Sequence, residues 1–428
     1  MRPTMFAIVA GLLSSVSLGQ CRIDTLVSPS PTADRFGDRL AMNDRHLIVL
    51  DTRDTGSDGV FAYHRATSGD WEYLGPIVAP GNISNVALHH NSLIITTLFS
   101  TMCSGSTGVH TFEFTDGSWS EAAPLCDPMV SPYGADLHAN LALLSNGSSV
   151  VAVHRRIEGE WVFSDLLSNP DSPAVASAFG SAMAVDDRTV FIGAYFERVP
   201  AGPGGAVYVY RRLPGDELEL AQKLVAPDVL RAPGFGNALA VAGTTLVVGG
   251  YLSRRTYEDQ GAVYVYRLID GRWRLEQELT HSNPGENDHF GIAVATDGQR
   301  IVASARYADT RFRSAGRVYV FERDGSGAWV QTQDFDHHEP SYGYGTVLGL
   351  GAGVVATGPG SGYVDLVDLA LDCCRPDLDG DGALTIFDYL AFQTLFDAGD
   401  ALADFDDDGA LTIFDFLVFQ SDFVDGCD

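Results

Sequence analysis

Basic charge is scarce in this chain: 27 Lys and Arg stand against 56 Asp and Glu, a formal net charge of −29 over 428 residues. Neutralising nucleic-acid phosphates needs a basic surface, so nucleic-acid binding is excluded. Long apolar runs are missing after the first residues, which leaves no transmembrane segment in the mature chain. Catalytic signatures are missing too. There is no Gly-x-Ser-x-Gly elbow, zinc-binding helix or phosphate loop. Histidines are mostly single. The pairs His89-His90 and His337-His338 make poor joint metal ligands if they lie on strands, where neighbours face opposite ways. A carboxylate pair for glycoside cleavage is set by distance in space, and sequence spacing cannot reveal it.

Residues 1–19 read as a signal peptide. Arg2 supplies a positive start, Phe6 to Val16 is largely apolar, and Ser17-Leu18-Gly19 suits a signal peptidase. The expectation is a protein that is secreted or held at the cell surface, where disulfides can form. Six cysteines allow fifteen pairings. Position favours Cys103 with Cys126 as a local staple, Cys21 with Cys373 or Cys374 joining the ends of a large domain, and the remaining adjacent cysteine with Cys427. Closing the long loop is worth about 5 kcal/mol in the chain-entropy model.

Acid is what the chain has in excess, and much of it is local. Residues 373–428 hold 14 Asp, no Glu and Arg375 as the one counter-charge. Two segments 27 residues apart share one spacing, with Asp377, Asp379, Asp381, Thr385 and Asp388 matched by Asp404, Asp406, Asp408, Thr412 and Asp415. Carboxylates at loop positions one, three, five and twelve, a hydroxyl at nine and glycine at six (Gly382, Gly409) form the ligand pattern of an EF-hand loop. The backbone carbonyls of Ala383 and Ala410 stand at position seven. Two calcium ions are expected. Crowded carboxylates repel one another without a cation, so binding and local folding should be coupled.

The middle of the chain repeats about every 50 residues. All five tryptophans (Trp71, Trp119, Trp161, Trp273 and Trp329) follow a short polar turn, and each turn follows an alternating strand such as Ala262-Val263-Tyr264-Val265-Tyr266. Upstream lie aromatic-glycine pairs: Phe36-Gly37, Tyr133-Gly134, Phe179-Gly180, Phe235-Gly236, Phe290-Gly291 and Tyr344-Gly345, with Asn82-Ile83 at the aligned place in the second unit. Four short strands per unit predict a β-propeller. Seven units are countable, and the last stops after its third strand. The N-terminal stretch Arg22 to Pro29 resembles an outer strand (Leu220 to Pro227) and is expected to complete blade seven. The predicted fold class is all-β, a seven-bladed propeller over residues 20–374, followed by a small α-helical domain over 375–428.

On these motifs residues 22–372 resemble the FG-GAP family, whose repeats build the integrin α-subunit propeller. Many integrin-type repeats carry a calcium loop between the first two strands. Hairpins here such as Val185-Asp186-Asp187-Arg188 lack that ligand set, so the propeller is expected to be largely free of calcium. Residues 375–426 resemble a dockerin, which implies docking to a cohesin-like or other surface protein. Predicted helices over 386–396 and 413–423 place Phe387, Leu390 and Phe396 against Phe414, Leu417 and Phe423 as a two-helix core. Dockerins usually show small hydroxyl residues where Ile386-Phe387 and Ile413-Phe414 stand, so a partner other than a conventional cohesin is open.

The loops between second and third strands in repeats four to six are rich in Arg and aromatics. They hold Tyr195, Phe196 and Arg198; Tyr251, Arg254, Arg255 and Tyr257; then Tyr307, Arg311, Phe312 and Arg313. Equivalent loops emerge on one face of a propeller, so these residues should gather there. The patch would suit an anionic glycan or an acidic protein segment. The competing reading is that the arginines balance local acids. The functional expectation is a binding or scaffold protein, with a polysaccharide-degrading propeller enzyme as the alternative.

Overall fold

A computed structural model describes residues 23–425 except 31–34, 53–58, 99–106, 123–124, 126–133, 172–176, 200–201, 216, 229–230, 311, 338–341, 361, 370–377, 379–383, 400–402, 404 and 406–409. All six cysteines lie outside the described residues, as does the proposed signal peptide.

Seven four-stranded antiparallel sheets follow one another along the chain. Blade five shows the pattern: Phe235–Ala242, Thr245–Gly250, Ala262–Ile269 and Arg272–Leu279, each hydrogen-bonded to the next. Its second strand and the start of its third are wholly buried between blades, because the strands carry apolar or small residues on both faces. The first strands of neighbouring blades pack in cyclic order, and Arg39–Met42 of blade one also meets Val347–Gly351 of blade seven. The ring is closed.

The aromatic-glycine pairs join one blade to the preceding one. Phe36, Phe179, Phe235, Phe290 and Tyr344 are fully buried. The glycine after Phe235 has φ +89°, and a Cβ on it would lie 2.7 Å from the Ala206 carbonyl oxygen of blade four. Gly37 stands in the same relation to blade seven, 2.8 Å from the Tyr363 carbonyl oxygen. Only glycine fits such a position. A second link is polar. Gln222 of blade four donates to the Trp273 carbonyl (2.8 Å) and accepts from its N–H (3.0 Å), and Gln277 does the same for Trp329 in blade six (2.7 and 2.9 Å).

The N-terminal strand Ile23–Val27 is the outer strand of blade seven. It pairs antiparallel with Tyr363–Asp368, from Ile23 opposite Val367 to Val27 opposite Tyr363. Leu26 enters the core between blades seven and one with Phe36, Val364 and Leu366. Thr25 donates its hydroxyl to Asp365 (2.7 Å), a fully buried carboxylate whose other oxygen lies 2.9 Å from His337 Nδ1. The expected ring closure by the first strand is therefore observed.

The tail contains two helices, α1 (Ile386–Ala398) and α2 (Ile413–Asp425). Thr385 caps α1, and Gly399 ends it in the left-handed conformation. The core between them differs from the expected one. Phe392, Phe405 and Phe419 are buried, with Tyr389, Phe396, Phe416 and Phe423 packed around them. Phe387 (63 %), Leu390 (51 %), Phe414 (61 %) and Leu417 (51 %) are exposed, beside Ile386 and Ile413. The reason is helical phase: the buried stripe runs through Tyr389, Phe392 and Phe396, leaving 386, 387 and 390 on the other side. No helix among the described residues is long and apolar enough to cross a membrane.

Candidate functional site

Loops between second and third strands, and connections between blades, emerge on the same face. On blades four to seven they are tied together by backbone hydrogen bonds. Phe290 N–H donates to the Gln260 carbonyl (2.8 Å), His289 N–H to Asp259 (3.1 Å), and Tyr344 N–H to Ala315 (2.7 Å). Within the blade-five loop the Gln260 side chain accepts from the Thr256 and Tyr257 N–H groups, both at 2.8 Å. In blade four, Arg198–Val199 pairs with Gly202–Pro203. Buried Glu197 takes a hydrogen bond from Asn169 and lies 3.5 Å from Lys223 Nζ, the chain's sole lysine. These bonds hold the loops and connections of the face in fixed positions relative to one another.

Across it runs an arc of rings. Tyr195 lies 4.1 Å from Phe196 and 6.3 Å from Tyr251; Tyr251 lies 5.4 Å from His289; His289 lies 5.1 Å from Tyr307; and Tyr307 lies 5.3 Å from Tyr342 (centroid distances). The Arg306 guanidinium sits 4.5 Å from the Tyr307 ring. Burial holds the His289 imidazole below its ordinary pKa and raises the Tyr251 hydroxyl.

The sequence-selected residues divide. Tyr195, Phe196, Tyr251 and Tyr307 belong to the arc, while Tyr257 is exposed on the blade-five loop. Arg198 and Arg313 are exposed, and Arg311 lies outside the described residues. Arg254 is bound to Glu258 (3.2 Å) and Asp259 (3.1 Å), and Arg255 to Glu278. These two arginines balance local acids, as the competing reading held. Arg306, His289 and Tyr342 were not singled out by sequence. The signal for the last two was available: each stands one or two residues before an aromatic-glycine pair, on the connection that shares the face with the selected loops.

In the tail, Asp377, Asp379, Asp381, Ala383, Asp404, Asp406 and Asp408 lie outside the described residues. Those described are arranged alike in both loops. Asp388 accepts from the Thr385 N–H (2.7 Å) and Asp415 from the Thr412 N–H (2.6 Å), while the two threonine hydroxyls accept from Phe387 and Phe414 N–H groups at 3.1 Å. Asp388 and Asp415 are fully buried. A buried carboxylate at loop position twelve, aimed back at its own loop, fits a calcium ligand.

Two other places carry clustered or buried titratable groups. His89 and His90 touch, with ring centroids 4.2 Å apart, and His89 lies equally close to His138, itself 3.0 Å from Asp187. The expected opposition of the pair fails because His90 occupies a turn at φ 50°. Among the described residues no group of three or more His, Cys, Asp or Glu is placed to hold a metal. Asp136, on the first strand of blade three, is pushed up to about 7 by burial, although the Leu137 and Val185 N–H groups oppose the rise. The folded state therefore binds this proton more tightly than the unfolded chain, and its contribution to stability is full below about pH 4 and lost as pH rises through about 7. Asp136→Asn should remove that downward slope, raising the thermal midpoint at pH 8 relative to the parent. An unchanged pH profile would contradict the shift.

The FG-GAP repeat family model matches residues 219–266 and 273–321. Each match runs from the outer strand of one blade through the third strand of the next, the same one-strand offset that closes the ring. Similar folds occur in a chain of the mitotic checkpoint complex (11 % identity, 86 % of this chain and 99 % of that one, TM-score 0.52). They also occur in virginiamycin B lyase from Staphylococcus aureus (10 %, 81 % and 99 %, 0.51) and a protein from Lactobacillus plantarum (15 %, 74 % and 89 %, 0.50). At these identities the likeness is one of fold. No curated protein matches the chain. The class is thus a seven-bladed β-propeller with FG-GAP repeats in its fifth and sixth blades and a short helical C-terminal part.

Proposed function

We propose that the protein is an exported adaptor. The propeller presents a ligand face on blades four to seven, and residues 375–428 form a two-calcium, dockerin-like domain that docks onto a cohesin-like or other surface protein. The observation that carries this reading is the pair of matched apolar clusters Ile386/Phe387/Leu390 and Ile413/Phe414/Leu417, more than half exposed on both helices. Isolated surface apolar residues need no explanation, but six large ones repeated in register form a contact surface. Each cluster flanks a buried position-twelve carboxylate, so its presentation depends on an ordered calcium loop. Three disulfides, with Cys21 fixed near Cys373 and Cys374, complete the proposal for an exported protein.

The test is capture from the source cell envelope with and without a chelator, using the parent and a Phe387→Asp, Phe414→Asp variant. The reading expects one identified surface protein to be retained only with calcium, and at least about tenfold less by the variant. Equal capture by the variant would sink it. Release of sugar products by the purified propeller would favour a polysaccharide-degrading enzyme instead.

A further inference from the structure

We propose that the aromatic arc on blades four to seven is a platform for an uncharged polysaccharide that lies across the blades. The inference rests on the ligand-face reading above and names the class of ligand. Three observations carry it.

The first is continuity. The rings of Phe196, Tyr195, Tyr251, His289, Tyr307 and Tyr342 follow one another at 4.1–6.3 Å across four blades, with exposed ends at Phe196 (57 %) and Tyr342 (66 %). A series of that kind suits a long, repeating ligand, whereas a compact ligand asks for one concave pocket. Five of the six rings also carry polar atoms at the rim, the hydroxyls of Tyr195, Tyr251, Tyr307 and Tyr342 and the imidazole of His289, so apolar faces and hydrogen-bonding edges both occur along the arc, as the C–H faces and hydroxyls do along a sugar chain.

The second is charge. Three arginines of this face are bound to acids, Arg254 to Glu258 and Asp259, Arg255 to Glu278, and Arg231 to Asp228 at 3.5 Å, while Arg306 lies against the Tyr307 ring and Arg198 and Arg313 are exposed. The Glu258 side chain is 60 % exposed and that of Asp228 45 %. A polyanion would meet these carboxylates and would have to break existing ion pairs to reach Arg231, Arg254 or Arg255. An uncharged chain meets neither cost, and exposed carboxylates accept hydrogen bonds from its hydroxyls. The third is preorganisation: backbone bonds between each loop and the next blade hold the rings in place.

The test is affinity electrophoresis of the full chain through gels containing hydroxyethyl cellulose, galactomannan, carboxymethyl cellulose or polygalacturonate. Retardation by a neutral polymer is expected, undiminished at about 0.5 M salt, where charge is screened within a few Å. Phe196→Ala and Tyr342→Ala should each weaken it about 3- to 10-fold. Both sites are exposed, so folding is not at risk. Arg254→Gln should change it less than about twofold. Retention confined to the anionic gels, abolished by salt and dependent on these residues, would overturn the uncharged ligand and leave the ligand face standing. Retention by no gel, or retention that the two aromatic substitutions do not alter, would overturn both.

Discussion

Removing residues 21–29 is expected to cost the propeller most of its stability. The deletion takes away the five-residue ladder between Ile23–Val27 and Tyr363–Asp368, the buried Leu26 side chain and the Thr25 donor to buried Asp365. Net backbone hydrogen bonds of about 1 kcal/mol each, about 2 kcal/mol for Leu26 and a further 1–3 kcal/mol for a buried carboxylate short of a donor are together comparable to the whole stability of many domains. Denaturant unfolding should show a midpoint less than half that of the parent, with a synthetic peptide of residues 21–29 restoring part of it. Thr25→Val alone should lose roughly 1–3 kcal/mol. A truncated chain with the parent's midpoint would refute closure by this strand.

Calcium removal should have the second large effect, confined to the tail. Calorimetry is expected to find two ions per chain and none after Asp377→Ala with Asp404→Ala. That double variant should also lose most of the α-helical circular dichroism, because α1 and α2 are the α-helices among the described residues. Propeller melting should stay within a degree or two of the parent (about 0.5 kcal/mol or less). Binding should weaken as pH falls into the carboxylate range, since protons compete for the ligand oxygens. Full stoichiometry in the double variant would place the sites elsewhere.

The fold was largely legible in the sequence because its grammar is local. Phe235-Gly236, Val247-Val248-Gly249 and Tyr264-Val265-Tyr266 each state a strand or a blade junction without help from distant residues. Ring closure was legible because blade seven lacked an outer strand and Ile23–Val27 matched one. The tail's core was not. Ile386, Phe387 and Leu390 are as apolar as Tyr389, Phe392 and Phe396, and composition cannot tell a core stripe from a contact stripe on an apolar helix. The aromatic face of blades four to seven was half legible. Loop arginines could be found, but their ion pairs with Glu258, Asp259 and Glu278 depend on side-chain directions that spacing does not encode. His289 and Tyr342 join the arc only because blades lie side by side.

The closing strand has a mechanical consequence. Tyr363–Asp368, which leads toward the tail, is flanked on one side by Val354–Gly358 and on the other by Ile23–Val27. If the tail is anchored while the propeller grips something, tension arrives on a strand bonded along both edges. Pulled along its axis, that strand resists in shear, with its hydrogen bonds strained together and not one after another. A chain without its first strand would offer one edge only and would unzip under a smaller force.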